Sequence, residues 1–391
     1  MSMKTLTSNF VGNLRQSGIF LALIVIVIFF AILNANFLSP GNLTNIVLQY
    51  SYILILSMGM LMVIVLGQID LSVGSLVAVT GAVSGVLVIK QGMPWWVGVV
   101  AAILMGVLAG AFHGFWVAFM GIPGFIVTLA GMLLFRGLTY KILDNVSLSP
   151  FPNEYYNIAN GFFNGLLGGR GVDVFTLLIF AIALVGYIYT KFRDRKRRIE
   201  YKQPVPPVGI EIAKIVVLGL AVMWFGYQLS ISRGLPVILV ILAILVLLYG
   251  IVTQKTTFGR SIYAIGGNID AARLSGINVR KITFLTFVNM GFLAGVAGVA
   301  FSARMNGAQP GAGNMFELDA IAACFIGGAS TTGGTGRISG ALIGGLIMAV
   351  LSNGMQLMGA DTATQQIVKG LVLVVAVAFD VYNRRRAGLT K

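Results

Sequence analysis

The feature that most constrains this chain is a series of long apolar segments separated by short polar ones. Hydrophobic residues make up 57% of the 391 residues, whereas charged residues make up only 10%. Soluble domains usually carry about 25% charged residues, so this chain has too few charges to cover a soluble surface. Each apolar segment approaches the ~20 residues that a helix needs to cross a bilayer, which is too long for a strand of a membrane barrel. We therefore predict an all-α polytopic membrane protein, a helical bundle that forms one domain over residues 1–391.

The apolar segments predict about twelve membrane spans. The tenth, residues 317–332, is short and rich in glycine, and the sequence does not show whether it crosses the bilayer completely. The spans lie near residues 18–34, 46–67, 74–90, 96–119, 123–142, 172–190, 212–230, 236–253, 283–301, 317–332, 338–356 and 363–382.

Basic residues predict the orientation of the spans. A net charge of +15 would suggest a nucleic-acid partner in a soluble protein, but here the cations cluster in alternate loops, as cytoplasmic loops do in the inner membrane. Both termini are therefore predicted to be cytoplasmic, with no nucleic-acid partner. The cytoplasmic set is Lys4, Arg15, Lys191–Arg198, Lys202, Lys255, Arg260, Arg273, Arg280, Lys281, Arg337, Arg384–Arg386 and Lys391, and the opposite set is Lys90, Lys141, Arg170, Arg233 and Arg304. The basic loop 191–207 is predicted to be a solvated linker that also contacts anionic headgroups.

The cytoplasmic segment 254–282 contains a short polar helix in "GGNIDAARLSG". Asn268 is a good N-cap and Asp270 lies in the first turn, where the helix dipole favours an anion. Gly266 and Gly267 end the preceding structure, and Gly276 suits a left-handed C-cap. A helix of two turns is unstable alone, so it must contact the rest of the chain or a partner; a connector lying on the membrane is the alternative.

The two ends of the chain show a faint inverted similarity. Asp70 and Asp319 each precede a helix of small residues that is followed by two further spans, and inverted repeats are common in transporters. We predict a first half over 18–142 and a second half over 236–383. The section 143–235, with its basic loop, is predicted to be an inserted helix pair.

Motifs of catalysis and of metal or nucleotide binding are missing from the sequence. The glycine-rich stretch "GGASTTGGTGR" lacks the Gly-Lys-Ser/Thr ending of a phosphate-binding loop, and the chain contains no HExxH pair. The single histidine, His113, is far from that stretch and is predicted to donate a hydrogen bond between packed helices. We predict a protein that is not an enzyme and binds no cofactor or metal.

Polar residues within the spans are candidates for function because charge in a membrane is costly. Asp70, Arg136, Asp319, Asp361 and Lys369 belong to this group. Helix capping by the aspartates, and pairing or snorkelling by the two cations, are the alternatives. Residues that could line a translocation path are Asp70, Ser72, Ser75, Thr128, Asn289, Asp319 and Asn353, together with Ser352 and Gln356; hydrogen bonds between helices explain most of them equally well.

Four stretches together resemble one family. "TTFGRSIYAIGGNIDAARLSGINV", "IDLSVGS", "PGFIVTLAGMLLFRGL" and "ELDAIAACFIGG" are similar to the permease subunits of ribose-, xylose-, galactose- and arabinose-type ABC importers. The extra pair in 143–235 resembles the longer xylose-type and multiple-monosaccharide permeases, whereas the shorter ribose type lacks it.

The resemblance implies a homodimer in a bacterial plasma membrane. A cytoplasmic ATPase that binds ATP and Mg would grip each coupling helix, and an extracytoplasmic sugar-binding protein would deliver a monosaccharide for alternating access. The implied ATPase contacts are Arg260, Tyr263, Gly266, Gly267, Asn268, Asp270, Ala271, Ala272, Arg273, Leu274 and Gly276. An Ala271–Ala272 face would enter a groove of the ATPase. An ion-coupled secondary sugar transporter is the alternative, and the sequence does not reveal which sugar is carried.

Overall fold

The computed structural model describes residues 3–386, and the side chains of residues 18–378. The helices are α1 (Met3–Leu33), α2 (Pro40–Val65), α3 (Val73–Gly85), α4 (Trp95–Ala118), α5 (Gly124–Leu143), α6 (Asn153–Asn160), α7 (Val174–Glu200), α8 (Val208–Ser232), α9 (Val237–Lys255), α10 (Thr257–Gly267), α11 (Ile269–Leu274), α12 (Val279–Met305), α13 (Phe316–Ile326), α14 (Ile338–Leu357) and α15 (Thr362–Arg386). A π-helical turn, Val86–Lys90, extends α3, and β1 (Phe162–Phe163) pairs antiparallel with β2 (Leu235–Pro236). The side chains of Lys4, Arg15, Arg384–Arg386 and Lys391 lie outside the described part.

The helices match the predicted all-α polytopic fold. Nine of those in the described chain are long and apolar enough to cross a membrane, namely α2, α3 with its π-helical turn, α4, α5, α7, α8, α9, α12 and α14. α1 and α15 contribute shorter apolar stretches, Gly18–Leu33 and Thr362–Ala378. The predicted tenth span contains α13, whose 11 residues reach only about 16 Å against a hydrocarbon core of ~30 Å, so this helix alone does not cross. The total of about twelve spans and the side of the termini stay predictions.

α2 forms the centre of the bundle. In its most apolar 18-residue stretch, 83% of the residues are buried, compared with 6% in the corresponding stretch of each of α7 and α8. Because α2 is apolar on all sides, it is stable only when other helices surround it, and α12, α14, α13 and α9 do so. α7 and α8 pack mainly against each other, and α8 also contacts α2.

Glycines set the distance between α4 and α12. A Cβ added to Gly106 would lie 2.2 Å from the carbonyl oxygen of Gly291, and one added to Gly110 would lie 2.3 Å from that of Phe287. Small residues spaced four apart allow membrane helices this close an approach. The glycines of α4 therefore give α12 a fixed position beside α2 and α3.

Two irregular segments are partly buried in the bundle, residues 66–72 before α3 and residues 306–315 before α13. Asp70 and Ser72 in the first are 1% and 0% exposed. The segments meet where a Cβ on Gly74 would lie 2.1 Å from the carbonyl oxygen of Gly313, which itself has a φ of +70°. The starts of α3 and α13 are thus neighbours. Asp70 lies three residues before α3 as predicted, whereas Asp319 lies in the first turn of α13 and not before it. The division into halves over 18–142 and 236–383 stays a prediction.

One end of the bundle carries most of the cations and is called the basic end; it is the predicted cytoplasmic side. α10 and α11 lie there, and so do the end of α7 and the start of α8. The predicted solvated linker 191–207 is wrong over 191–200, because α7 continues to Glu200. Lys and Arg are strong helix formers, so the basic run extends the helix, and only 201–207 connect α7 to α8. The inserted section 143–235 also contains α6, which the apolar pattern does not predict.

Candidate functional site

The short helix α11 forms by the predicted local signals. The Asn268 side-chain oxygen accepts hydrogen bonds from the backbone N–H groups of Asp270 and Ala271, at 3.0 and 2.9 Å. Gly276 has a φ of +81°, which a glycine adopts without steric cost. α10 ends at Gly267, directly before the cap. The predicted start and stop of this helix are confirmed.

One face of α11 is buried and the other is exposed. Ala272 is 3% exposed and belongs to the main apolar core of the chain, whereas Leu274 is 91% exposed. The prediction that Ala272 enters a groove on a partner is wrong, because this side chain attaches α11 to its own protein. Outward surface comes from Gly267, Asn268, Ile269, Asp270, Ala271, Arg273, Leu274 and Gly276; the role of the predicted members of this set in contacting an ATPase stays a prediction.

The junction between α10 and α11 is tied to two other parts of the basic end. The backbone N–H of Gly334 donates a 2.8 Å hydrogen bond to the carbonyl oxygen of Val65, the last residue of α2. A Cβ on Gly266 would lie 1.7 Å from that same oxygen and 2.7 Å from the Gly334 nitrogen. Gly266 therefore lets α10, α2 and the segment 327–337, here called the glycine loop, touch through their backbones.

Tyr263 makes a second link to the glycine loop. Its hydroxyl donates a 2.8 Å hydrogen bond to the carbonyl oxygen of Gly336. Burial raises the pKa of Tyr263, with Arg337 acting in the opposite direction, so the hydroxyl remains protonated and able to donate. Tyr263 and Gly266 thus act within the chain, whereas Arg260 is exposed and its guanidinium donates to the carbonyl oxygen of Lys255 at 3.2 Å.

Three of the predicted path residues hold the buried segment 66–72. One Asp70 oxygen accepts hydrogen bonds from the Ser72 backbone N–H at 2.8 Å and from the Ser72 hydroxyl at 2.6 Å. The Thr128 hydroxyl accepts from the Leu71 backbone N–H at 3.1 Å. These contacts fix the turn before α3, but Asp70 does not cap the helix, because the N-cap residue is Ser72 and no side chain in the described chain accepts from the first N–H groups of α3. Ser75, one turn into α3, is buried and has no hydrogen-bond partner in the described chain.

Two further path residues join helices. Asn353 of α14 and Asn42 of α2 exchange a reciprocal pair of side-chain hydrogen bonds at 2.8 and 2.9 Å. Asn289 of α12 accepts a hydrogen bond from the Tyr249 hydroxyl and contacts the sulfur of Met62. Both asparagines are engaged in packing, so neither lines an open space.

The other path candidates, Asp319, Ser352 and Gln356, line a polar cavity. Two adjoining spaces of about 300 and 380 Å³ share Tyr50, Tyr52 and Gln356 in their walls. α2, α13, α14 and α15 line the first space, and α2, α12 and Gln356 of α14 line the second. We call the two together the central cavity; its size lies in the range of small-molecule sites, ~300–1,000 Å³.

The central cavity offers donors, acceptors and aromatic rings. The Lys369 ammonium lies 3.1 and 3.0 Å from the two Asp319 oxygens, so these charges neutralise each other. The Gln49 side-chain oxygen is buried without a hydrogen-bond partner in the described chain, although such groups are normally paired, and the Ser352 hydroxyl lies within reach of the Tyr50 hydroxyl. Tyr52 stacks on Phe316 at 4.6 Å between ring centres. Arg304 adds a cation to the wall of the second space, where its guanidinium donates to the Asn160 side-chain oxygen at 2.6 Å. This combination suits a ligand rich in hydroxyl groups.

Sequence reasoning missed Gln49, Tyr50 and Tyr52. The available signal was "LQYSY", residues 48–52, which places polar side chains inside the apolar run of α2. The hydroxyl of a buried tyrosine needs a hydrogen-bond partner, so two tyrosines in this apolar run indicate a polar site next to α2.

Arg136, Asp361 and His113 do not line the central cavity. The Arg136 guanidinium donates to the carbonyl oxygens of Pro310 and Ala312, so it holds the segment 306–315 and pairs with no carboxylate in the described chain. Asp361 caps α15 by accepting from the Thr364 backbone N–H at 2.9 Å. The predicted donor role of His113 is wrong, because both ring nitrogens are buried without a partner in the described chain and the ring packs against Phe135.

Among residues 18–378, whose side chains are described, no group of three or more His, Cys, Asp or Glu side chains is arranged to hold a metal ion.

Comparison with known proteins places the chain among membrane permeases. Residues 42–377 match a family described as branched-chain amino acid transport system / permease component. The xylose transport system permease protein XylH of Haemophilus influenzae is 38% identical over 375 residues, which cover 96% of this chain and 98% of that protein. XylH of Escherichia coli is 37% identical over 376 residues, covering 96% and 94%. The ribose import permease protein RbsC of Escherichia coli is 36% identical over 367 residues, covering 94% of each chain. No solved structure matches this chain.

Proposed function

Because this chain belongs to the family of transport-system permease components, we propose that it is the membrane permease of an ATP-driven monosaccharide importer in a bacterial plasma membrane. The observation that carries the proposal is the similarity to two xylose permeases along nearly the whole of each chain. The resemblance seen in four sequence stretches agrees with it. The substrate we propose is a pentose such as xylose.

The energy for transport comes from a separate ATPase subunit in this proposal. No phosphate-binding loop occurs in the sequence, and the chain itself is not an enzyme. The exposed face of α11 is the proposed docking surface for that subunit, with Leu274 as its apolar anchor. An exposed leucine at the tip of a capped helix suits a helix-in-groove contact.

The sugar passes through the central cavity in this proposal. An extracytoplasmic binding protein delivers it at the end opposite the basic end. The unpartnered Gln49 oxygen and the Ser352 and Gln356 side chains in the wall would hydrogen-bond sugar hydroxyls, and Tyr50 and Tyr52 would contact an apolar sugar face. The binding is weak, because a substrate that is only passed on must leave again.

In this proposal, a displacement of α11 by the ATPase is transmitted to the central cavity through the glycine loop and α2. α2 carries Tyr52 in the cavity wall and Val65 at the junction with Gly334, about 20 Å apart along the helix. An ATPase that displaces α11 would therefore displace the end of α2. We propose that a homodimer of the chain alternates in this way between outward-open and inward-open states.

Transport in liposomes separates this function from ion-coupled secondary transport. The chain, purified with its ATPase and reconstituted, should accumulate labelled xylose only when the ATPase has ATP and the binding protein is present. A proton or sodium gradient without ATP should drive no uptake. Uptake driven by a gradient alone, unaffected by ATP, would contradict the proposal and support the ion-coupled alternative.

A further inference from the structure

The helix pair α7–α8 stands apart from the rest of the bundle. In the most apolar 18-residue stretch of each helix, only 6% of the residues are buried. Large apolar side chains such as Val185, Val217 and Leu220 are 63–68% exposed. Since both helices are long enough to cross a membrane, lipid surrounds most of this pair. Whatever binds at its basic end therefore approaches from the bilayer or from the cytoplasm.

A cavity lies between the two helices at the basic end. It measures about 230 Å³ and is lined only by α7, α8 and the connection between them. We call it the hairpin cavity. Four cations contribute to its wall, Lys191, Arg195, Arg198 and Lys214, against two carboxylates, Asp194 and Glu211. A second open space of about 480 Å³ shares Asp194 and Arg198 and adds Arg197.

The cations of the hairpin cavity are only partly neutralised. Arg195 pairs with Glu211 and donates to the carbonyl oxygen of Pro206 at 2.9 Å, which ties the two helices together. Lys191 lies 5.5 Å from the centre of the Tyr187 ring. The side chains of Arg198 and Lys214 have no ion pair or hydrogen bond among the described residues, although the Arg198 carbonyl oxygen accepts from the Gln203 backbone N–H at 2.8 Å. The cavity therefore carries excess positive charge with two basic side chains available to an anion.

Apolar side chains form the other walls. Val205, Ile210 and Ile215 line the hairpin cavity, and along α8 the exposed Val216 and Val217 continue towards the membrane. A positively charged site that opens along an apolar helix surface matches a phosphate joined to acyl chains. A soluble anion would contact only the cations, and the apolar walls would not contribute to its binding.

We propose that the hairpin cavity binds the headgroup phosphate of an anionic phospholipid from the cytoplasmic leaflet. The phosphate lies between Arg198 and Lys214, with Lys191 at the rim, and the acyl chains follow α8. Basic pockets between membrane helices on the cytoplasmic side favour such headgroups. The bound lipid would bridge the ends of α7 and α8 beside the Arg195–Glu211 pair.

Native mass spectrometry of the purified full-length protein tests the proposal. The probe is a nanodisc of phosphatidylcholine with a minor fraction of cardiolipin or phosphatidylglycerol. The cavity variant is Lys191→Gln/Arg198→Gln/Lys214→Gln. The matched control is Arg193→Gln/Lys196→Gln/Lys202→Gln, which removes the same charge from the same basic segment outside the hairpin cavity.

The wild-type protein and the control should retain an anionic lipid, and the cavity variant should lose it. A basic side chain near an anionic headgroup contributes about fivefold in affinity, so the triple variant should bind about 100-fold more weakly. Equal loss in both variants, or no loss in either, would overturn the proposal. Displacement of the lipid by millimolar inorganic phosphate would assign the site to a soluble anion. If the cavity variant kept the lipid but lost a bound protein subunit, the cavity would be a protein interface instead.

Discussion

At the scale of single residues, the Asp319–Lys369 ion pair places two opposite charges in the wall of the central cavity. Its two side chains are 14% and 24% exposed, so each charge depends on the other for compensation. Removing one partner of a buried pair leaves an uncompensated charge, whereas removing both is often nearly neutral for stability. Stability and transport can therefore be separated at this site.

Asp319→Asn is expected to lower both the melting temperature in detergent and sugar uptake. Adding Lys369→Met should restore most of the melting temperature without restoring uptake, because the charged donor and acceptor of the cavity wall are gone. The coupling energy of the pair should be about 1–3 kcal/mol. The exposed pair Lys90–Asp144 serves as the control, with a coupling below about 1 kcal/mol; similar coupling in both pairs would contradict this account.

Gly266 and Gly267 offer a matched comparison within one junction. A Cβ on Gly266 would meet the Val65 oxygen at 1.7 Å, whereas a Cβ on Gly267 would meet no atom within 4 Å. Gly266→Ala should reduce ATP-driven uptake at least about tenfold, because a backbone displacement of even 1 Å can cost that much or more. Gly267→Ala should transport normally. Equal uptake by the two variants would show that the contact with α2 is unimportant for transport.

At the scale of elements, one face of α11 packs against the core of the protein and the other face is exposed and free to contact a partner. Leu274→Asp should keep α11 folded, because the cap at Asn268 and the buried Ala272 are unchanged, but it should abolish retention of the ATPase during purification. Ile199→Asp is the control, since Ile199 is 56% exposed on α7 at the same end of the protein. Loss of the ATPase in both variants, or in neither, would contradict the docking role of α11.

The buried segment before α13 depends on Arg136. Arg136→Gln should leave the carbonyl oxygens of Pro310 and Ala312 without their guanidinium donor, which costs about 1–3 kcal/mol for buried acceptors. We expect a lower melting temperature and faster proteolysis within 306–315. Arg233→Gln, at an exposed cation near Phe162, should change neither; an unchanged melting temperature in Arg136→Gln would contradict the role assigned here.

The elements differ in how far sequence predicts them. The ends of α11 follow from Asn268 and Gly276, whose effects are local, so the sequence predicts them correctly. The burial of Ala272 depends on packing against the core, and the pairing of Asp319 with Lys369 joins two distant helices. The central cavity arises only when α2, α13, α14 and α15 meet. No pattern along the chain specifies that meeting, so three of nine candidate path residues line the cavity and Gln49, Tyr50 and Tyr52 were missed.

At the scale of the whole molecule, the central cavity and α11 lie at different depths of one bundle. α2 and α13 connect them: Tyr52 and Phe316 are in the cavity wall, and Val65 and the glycine loop after α13 meet α10 at the basic end. An importer needs this arrangement, because the ATPase acts on one side of the membrane and the sugar enters from the other. The lipid-exposed pair α7–α8 lies outside this connection.

The most direct test of the central claim is native mass spectrometry of the assembly extracted from its own membranes in mild detergent. We predict a complex of two copies of this 41.6 kDa chain with two nucleotide-binding subunits, which the Leu274→Asp variant should lose. Recovery of the wild-type chain without any nucleotide-binding subunit, in a form that still takes up sugar in liposomes under an ion gradient, would contradict the account.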